Sequence, residues 1–117
     1  MQERRKNVRR RLAFPAVALD SVSGLVMGHI ANITTEGVML RTEESIDIDH
    51  IFDLQIPLPD QIEDCERLQI RGHSLWCQRT ADAAHYVTGL ELLNLSASEI
   101  KIIELLIQDA IFQRWIS

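Results

Sequence analysis

The stretch Ile46-Asp47-Ile48-Asp49-His50-Ile51-Phe52-Asp53-Leu54-Gln55-Ile56-Pro57-Leu58 decides the fold. Every second residue from Ile46 to Leu58 is apolar except His50, and the positions between are mainly Asp47, Asp49, Asp53 and Gln55. A period of two with one apolar and one polar face is the pattern of a strand in a half-solvated sheet. His50 interrupts the apolar set and is read as a satisfied core or rim residue rather than a proton shuttle.

The same period extends outward in both directions. Downstream, Leu68 to Gln78 makes another strand. Leu68 and Ile70 share one phase and Leu75 and Cys77 the other, which predicts a bulge near Gly72. Tyr86, Thr88, Leu90 and Leu92 alternate again after a polar turn at Thr80 to Asp82. Upstream, Leu12 to Leu19 and Leu25 to Ile33 are joined by Asp20-Ser21-Val22-Ser23-Gly24, a hairpin signal, and Val38-Met39-Leu40 follows Gly37. Six short strands in about 80 residues predict a small antiparallel barrel or sandwich, because closure disposes of exposed sheet edges.

The period then changes. Ser96-Ala97-Ser98-Glu99 is a capping box, and Ile100, Ile103, Leu106, Ile107, Ala110 and Ile111 follow at helical spacing, predicting a helix to about Trp115. Ile102, Leu105 and Phe112 widen its apolar face beyond one contact. Burial against the barrel is the main reading, and a second copy of the chain is the other, so a monomer or a homodimer through this helix is expected. The chain divides into a basic arm (1–11), a barrel (12–95) and a helix (96–117).

Composition narrows the function. With 117 residues, 46% of them hydrophobic and 25% charged, the chain fits one ordinary globular domain. Seventeen acids against 12 bases give a net charge of −5. Residues 1–11 hold Arg4, Arg5, Lys6, Arg9, Arg10 and Arg11 against Glu3, a net +5. That leaves six bases and 16 acids, or −10, on the other 106 residues. An acidic body with a basic arm points to a local anion site. Cys65 and Cys77 make no disulfide scaffold, and a reduced, cytoplasmic protein is expected. No stretch approaches the roughly 20 apolar residues needed to span a bilayer. The basic start before Leu12 to Leu19 imitates a secretory leader, but Pro15 and Asp20 interrupt it.

Two motifs stand out. The arm reads Glu3-Arg4-Arg5-Lys6-Asn7-Val8-Arg9, and the first hairpin is followed by Asn32-Ile33-Thr34-Thr35-Glu36-Gly37. Together they resemble the PilZ family of cyclic di-GMP receptors, which pairs an Arg-x-x-x-Arg arm with an Asp/Asn-x-Ser-x-x-Gly motif on a β-barrel. Arg5 and Arg9 satisfy the first motif. Asn32, Thr34 and Gly37 occupy the second, with Thr34 where serine is usual. Aligning the arm on Arg11 instead would put Asn7 at the first arginine position. Ser74-Leu75-Trp76-Cys77 followed by Tyr86-Val87-Thr88-Gly89-Leu90-Glu91 looks like the family's late hairpin, so the resemblance covers about residues 3–112.

The resemblance implies a PilZ-like all-β fold, a six-stranded antiparallel split β-barrel with a C-terminal helix. It also implies a receptor for cyclic di-GMP rather than an enzyme. Its ligand-binding residues would be Arg4, Arg5, Arg9, Asn32, Thr34 and Gly37, with Arg10 and Trp76 as further candidates. The residue types suit two phosphates and two guanines. A guanidinium takes guanine O6 and N7 or a phosphate through two parallel bonds, or stacks on the base. Asn32 can accept base N–H groups, the Thr34 hydroxyl can reach a phosphate or base edge, and Gly37 permits a positive φ or a close backbone approach. Trp76 is read first as barrel core and second as a residue flanking the ligand.

The sequence also predicts a mechanism. Six like charges with little apolar surface leave the free arm mobile, and anionic phosphates would draw it onto the Asn32 to Gly37 loop. The ordered arm would then signal to an effector protein controlling motility, biofilm formation or exopolysaccharide synthesis. Other readings stay open: a PilZ-like protein adaptor without ligand, and a small barrel gripping nucleic acid with its arm. The −10 body opposes a long polyanion. Scattered histidines offer no triad. His73-x-x-x-Cys77 is read as same-face packing, because no second pair of metal ligands accompanies it.

Overall fold

The alternation in the middle of the chain becomes two long strands, and four shorter ones complete the sheet. A computed structural model describes residues 16–62, 65–109, 112, 114 and 116. Its elements are β1 (Val17–Asp20), β2 (Val26–Ile33), β3 (Gly37–Thr42), β4 (Ile51–Ile62), β5 (Cys65–Arg79), β6 (Tyr86–Leu93) and α1 (Ala97–Gln108). Residues 1–11 with Arg4, Arg5, Arg9 and Arg10, the run 12–15, and Ala110, Ile111 and Trp115 lie outside the described residues.

The strands run in the order β1-β2-β3-β6-β5-β4 and close into a barrel, every neighbouring pair antiparallel. Among the described residues no helix is long and apolar enough to cross a membrane. The inward phase carries Ala18, Ile30, Leu40, Leu54, Ile56, Leu68 and Leu90, all essentially inaccessible to solvent. Helix α1 rests against β5 and adds Ile102, Ile103 and Leu106 to the same buried cluster. Its start is the capping box read from the sequence: Glu99 N–H donates to Ser96 Oγ at 3.1 Å, and Ser96 N–H donates to Glu99 Oε1 at 2.9 Å.

Three boundaries differ from the sequence reading. First, the alternating run from Ile46 becomes strand only at Ile51. Asp49 takes φ 60°, a left-handed conformation that breaks an extended strand. The segment before it is tied to β5 instead. Ser74, fully buried, donates from Oγ to the Asp47 carbonyl at 2.7 Å and accepts from His50 N–H at 3.1 Å. The backbones exchange Asp49 N–H to Ser74 O and Ser74 N–H to His50 O. His50 therefore sits on the rim, exposed and stacked on Phe52, and Ile48 is exposed.

Second, the bulge in β5 lies at Leu75, not near Gly72: Ser74 pairs with Leu90 and Trp76 with Gly89, leaving Leu75 unpaired. Gly72 stays in register, and its missing Cβ makes room for the Leu90 side chain. Third, α1 stops at Gln108, because Asp109 has the extended angles φ −78° and ψ 118°. Asp109 Oδ1 then accepts from Phe112 N–H, as an N-cap would, so helical hydrogen bonding restarts beyond it. Ile100 and Ile107, read from the spacing as part of the buried stripe, are exposed, and the stripe centres on Ile102, Ile103 and Leu106.

The β5–β6 turn is held by a carboxylate. Asp82 accepts from the Thr80 hydroxyl and from Ala84 N–H, and these bonds, the hydroxyl first, hold its pKa below the ordinary 3.8. A lowered carboxyl pKa means the anchor is complete at neutral pH and fails as pH falls through the folded value. An NMR titration of the Asp82 carboxyl carbon should give a midpoint under 3.8. Replacing Ser74 by Ala should destabilise the barrel by about 1–2 kcal/mol, since it strips partners from Asp47 O and His50 N. Urea unfolding with an unchanged slope would measure that loss.

Candidate functional site

Two irregularities in the barrel build one outward-facing groove. In β2 the register shifts between Ile30 and Asn32, so Asn32 pairs with Met39 and its side chain faces solvent. In β5 the bulge at Leu75 inverts the strand's phase: Ser74 points in before it, and Cys77, bonded to the buried Thr88 hydroxyl, points in after it. Trp76 is thereby turned outward, 38% exposed, beside Leu75 at 48%. It is not part of the barrel core. His73 and Cys77, expected to share a face, lie on opposite faces for the same reason.

The pairings place Asn32, Met39, Gly89 and Trp76 in one row across β2, β3, β6 and β5. Paired residues share a face of the sheet, so this row forms the floor of the groove. Gly89 is the low point. The Trp76 ring lies so close over it that a Cβ at that position would collide with Cε2 and Nε1. The groove has a volume of about 320 Å³ and takes in Thr34, Glu36, Gly37, Leu75 and Glu91 as well. A larger cleft of about 580 Å³ lies around His29, Arg41, Glu43, Glu44 and His85. Among the described residues its lining includes none of Asn32, Thr34 and Gly37, and holds two glutamates and one arginine.

The loop from Asn32 to Gly37 is a braced turn. Thr34 Oγ1 accepts from Glu36 N–H at 3.1 Å and Gly37 N–H at 3.2 Å, and Thr34 N–H donates to the Gly37 carbonyl at 2.8 Å. A hydroxyl accepting two bonds retains its proton for donation. Thr34 is exposed, so its extra methyl relative to serine meets solvent. Gly37 is required by close approach rather than by a positive φ: a Cβ there would stand 2.8 Å from the Leu90 carbonyl oxygen of β6. Asn32 Oδ1 accepts from Ile33 N–H at 2.9 Å. Because a backbone N–H only donates, the atom facing it is the amide oxygen, which leaves the NH2 group free to donate to the groove.

The electrostatics are one-sided. Among the described residues lining the groove are two carboxylates, Glu36 and Glu91, and no lysine or arginine. Glu91 has a half-exposed side chain with its Oε1 3.8 Å from His73 Nδ1, while His73 Nε2 is 2.8 Å from Asp49 Oδ1. Asn32, Thr34, Gly37 and Trp76 thus come together, whereas Arg4, Arg5, Arg9 and Arg10 lie outside the described residues. Sequence reading missed Met39, Gly89, Leu75, Glu36 and Glu91 as lining residues. Gly89 carried a signal, since a glycine inside a strand marks close approach by another group.

Comparison with known proteins adds to this geometry. Residues 3–109 match the family model described as PilZ domain. Among solved structures the chain is similar to the Bacillus subtilis Inhibitor of motility (MotI/DgrA), with a TM-score of 0.58 and 14% identity. That match covers 80% of this chain and 49% of the other, so the chain spans about half the length of that protein. At this identity the likeness is one of fold. No curated protein matches the chain.

The two glycines should respond differently to alanine. Gly37→Ala pushes on a backbone carbonyl in the neighbouring strand and should cost about 1–3 kcal/mol. Gly89→Ala meets a side chain that can swing into solvent, so stability should change little while Trp76 becomes more exposed. In a Trp115→Phe background, acrylamide quenching of Trp76 should rise in Gly89→Ala alone.

Proposed function

The chain belongs to the PilZ domain family, and on that premise we propose that it is a receptor for cyclic di-GMP that acts as a switch rather than as an enzyme. The observation carrying this reading is the row Asn32–Met39–Gly89–Trp76 beside the Thr34–Gly37 turn. It offers a flat aromatic surface for a purine, amide and hydroxyl donors at one end, and, among the described residues, no lysine or arginine. The cations that two phosphates require come from the arm, which the family match includes from residue 3.

In this reading Arg5 and Arg9 grip phosphates or guanine O6 and N7 in the bidentate manner that lysine cannot reproduce, and Arg4 and Arg10 add charge beside them. Asn32 donates through its NH2 group to a guanine O6 or a phosphate, and the Thr34 hydroxyl donates alongside. Trp76 stacks on a base. Binding brings the arm over the groove, and the closed arm presents a new surface to an effector protein in the bacterial cytoplasm. Motility is one output, in keeping with the structural neighbour's name, and biofilm formation and exopolysaccharide synthesis are others. Long nucleic acid is not the ligand, because the acidic body would repel it over most of its length.

Isothermal titration with cyclic di-GMP tests this directly. The full chain should bind, and Arg5→Ala or Arg9→Ala should weaken binding at least about tenfold, given about 1.5–3 kcal/mol for each charge-assisted bond. Trp76→Ala should remove a further stacking contribution of about 1–3 kcal/mol. The salt dependence should be shallow, as for a compact ligand. A flat titration of the wild-type chain would instead establish a ligand-free adaptor.

A further inference from the structure

A groove that receives a dianionic ligand has reason to avoid carboxylates, yet Glu91 stands on its wall. It is not a stray loop side chain. It sits on strand β6, paired with Gly37 in register, two residues beyond the glycine on which Trp76 rests. Residues so spaced along a strand point to the same face about 7 Å apart, which puts the carboxylate at the edge of a base lying against the indole. Its side chain is half-exposed, with the His73 imidazole 3.8 Å away and tied in turn to Asp49.

The polar groups around this point are unequally committed. The Asn32 amide oxygen is engaged by Ile33 N–H, and the Thr34 oxygen already accepts two backbone N–H groups. Both residues therefore keep donors for the groove, the Thr34 hydroxyl proton and the Asn32 NH2 group, and Asn32 Oδ1 keeps only its second lone pair as an acceptor. A guanine has acceptors at O6 and N7 that such donors can serve, but it also carries N1–H and an exocyclic N2 amino group that need acceptors. The carboxylates supply them. Glu36 lies on the exposed turn, whereas Glu91 is carried by a strand of the barrel.

We propose that Glu91 is the specificity-determining acceptor of this groove, its carboxylate receiving the N1–H and N2–H donors of a guanine stacked on Trp76. The inference rests on the cyclic di-GMP reading and deepens it. A carboxylate beside phosphates is tolerated when a ligand donates to it, and ligands without those donors leave it desolvated and unpaired. Guanine is thereby preferred over purines that lack the amino group, and adenine, with an acceptor at N1, is opposed most.

The test compares cyclic di-GMP with its inosine analogue, cyclic di-IMP, which lacks only the N2 amino groups, by isothermal titration of the full chain. The wild type should prefer cyclic di-GMP at least about tenfold. In Glu91→Leu that preference should shrink to less than about threefold, while cyclic di-IMP binding persists and shows that the groove is intact. Glu36→Leu removes the same charge from the same groove and should leave the preference as in the wild type. An unchanged ratio in Glu91→Leu, or an equal narrowing in Glu36→Leu, would overturn the role of Glu91 while leaving the receptor reading standing. Wild-type protein that binds neither ligand would overturn both.

Discussion

Strand β5 carries one residue more than its partner β6 between Ser74 and Trp76, and the inversion of phase at Leu75 organises both faces of the barrel. Before the bulge, Leu68, Ile70 and Ser74 point inward, and the Ser74 hydroxyl reaches the chain ahead of β4. After it, Cys77 takes the inward place opposite Thr88, and the indole of Trp76 is released to the outer surface. In an uninterrupted period of two, Trp76 would follow Ser74 into the barrel. With the bulge, Cys77 and Thr88 face each other inside and the indole lies on the outer surface. The bulge therefore sets the interior pairing and furnishes the groove in one step, consistent with the placement of bulges where a side chain must be re-aimed.

Charge is divided between two parts of the chain. Through its described residues the groove contributes shape, an aromatic face, hydrogen-bonding groups and two carboxylates without a lysine or arginine, whereas residues 1–11 hold half of the 12 bases. On the proposed reading, the carboxylates of Glu36 and Glu91 oppose phosphates, and the six bases of residues 1–11 offset them. In the receptor we propose, that division would separate recognition of the bases, on β2, β3, β5 and β6, from neutralisation of the phosphates by residues 1–11.

Much of this was legible in the sequence because it depended on short-range rules. Period two located the strands, the Ser96–Glu99 box located the start of the helix, and Asn32, Thr34 and Gly37 marked a turn that the barrel places beside Trp76. The misreadings share a cause. The alternation of Ile46 and Ile48 has the local signature of a strand, but the left-handed Asp49 and the pull of Ser74, a residue 25 positions beyond Asp49, override it. Gly72 attracted the bulge because glycine is locally permissive, whereas the register of β6 decided where the extra residue falls. Helical spacing marked Ile100 and Ile107 as apolar without showing which apolar stripe would meet β5. The lining residues Met39, Gly89 and Glu91 become neighbours only through cross-strand pairing, which a linear reading does not contain.

The staves of this barrel are not equally stitched. Strands β3 and β6 are joined by six residue pairs, whereas β1 and β4 meet, among the described residues, through two, Leu19 with Gln55 and Asp20 with Leu54. The Gly37 turn belongs to the densely paired side, at β3–β6. Among the described residues, the row Asn32–Met39–Gly89–Trp76 crosses β2, β3, β6 and β5 without reaching the β1–β4 seam, so the sparsest join of the hoop lies off the groove floor.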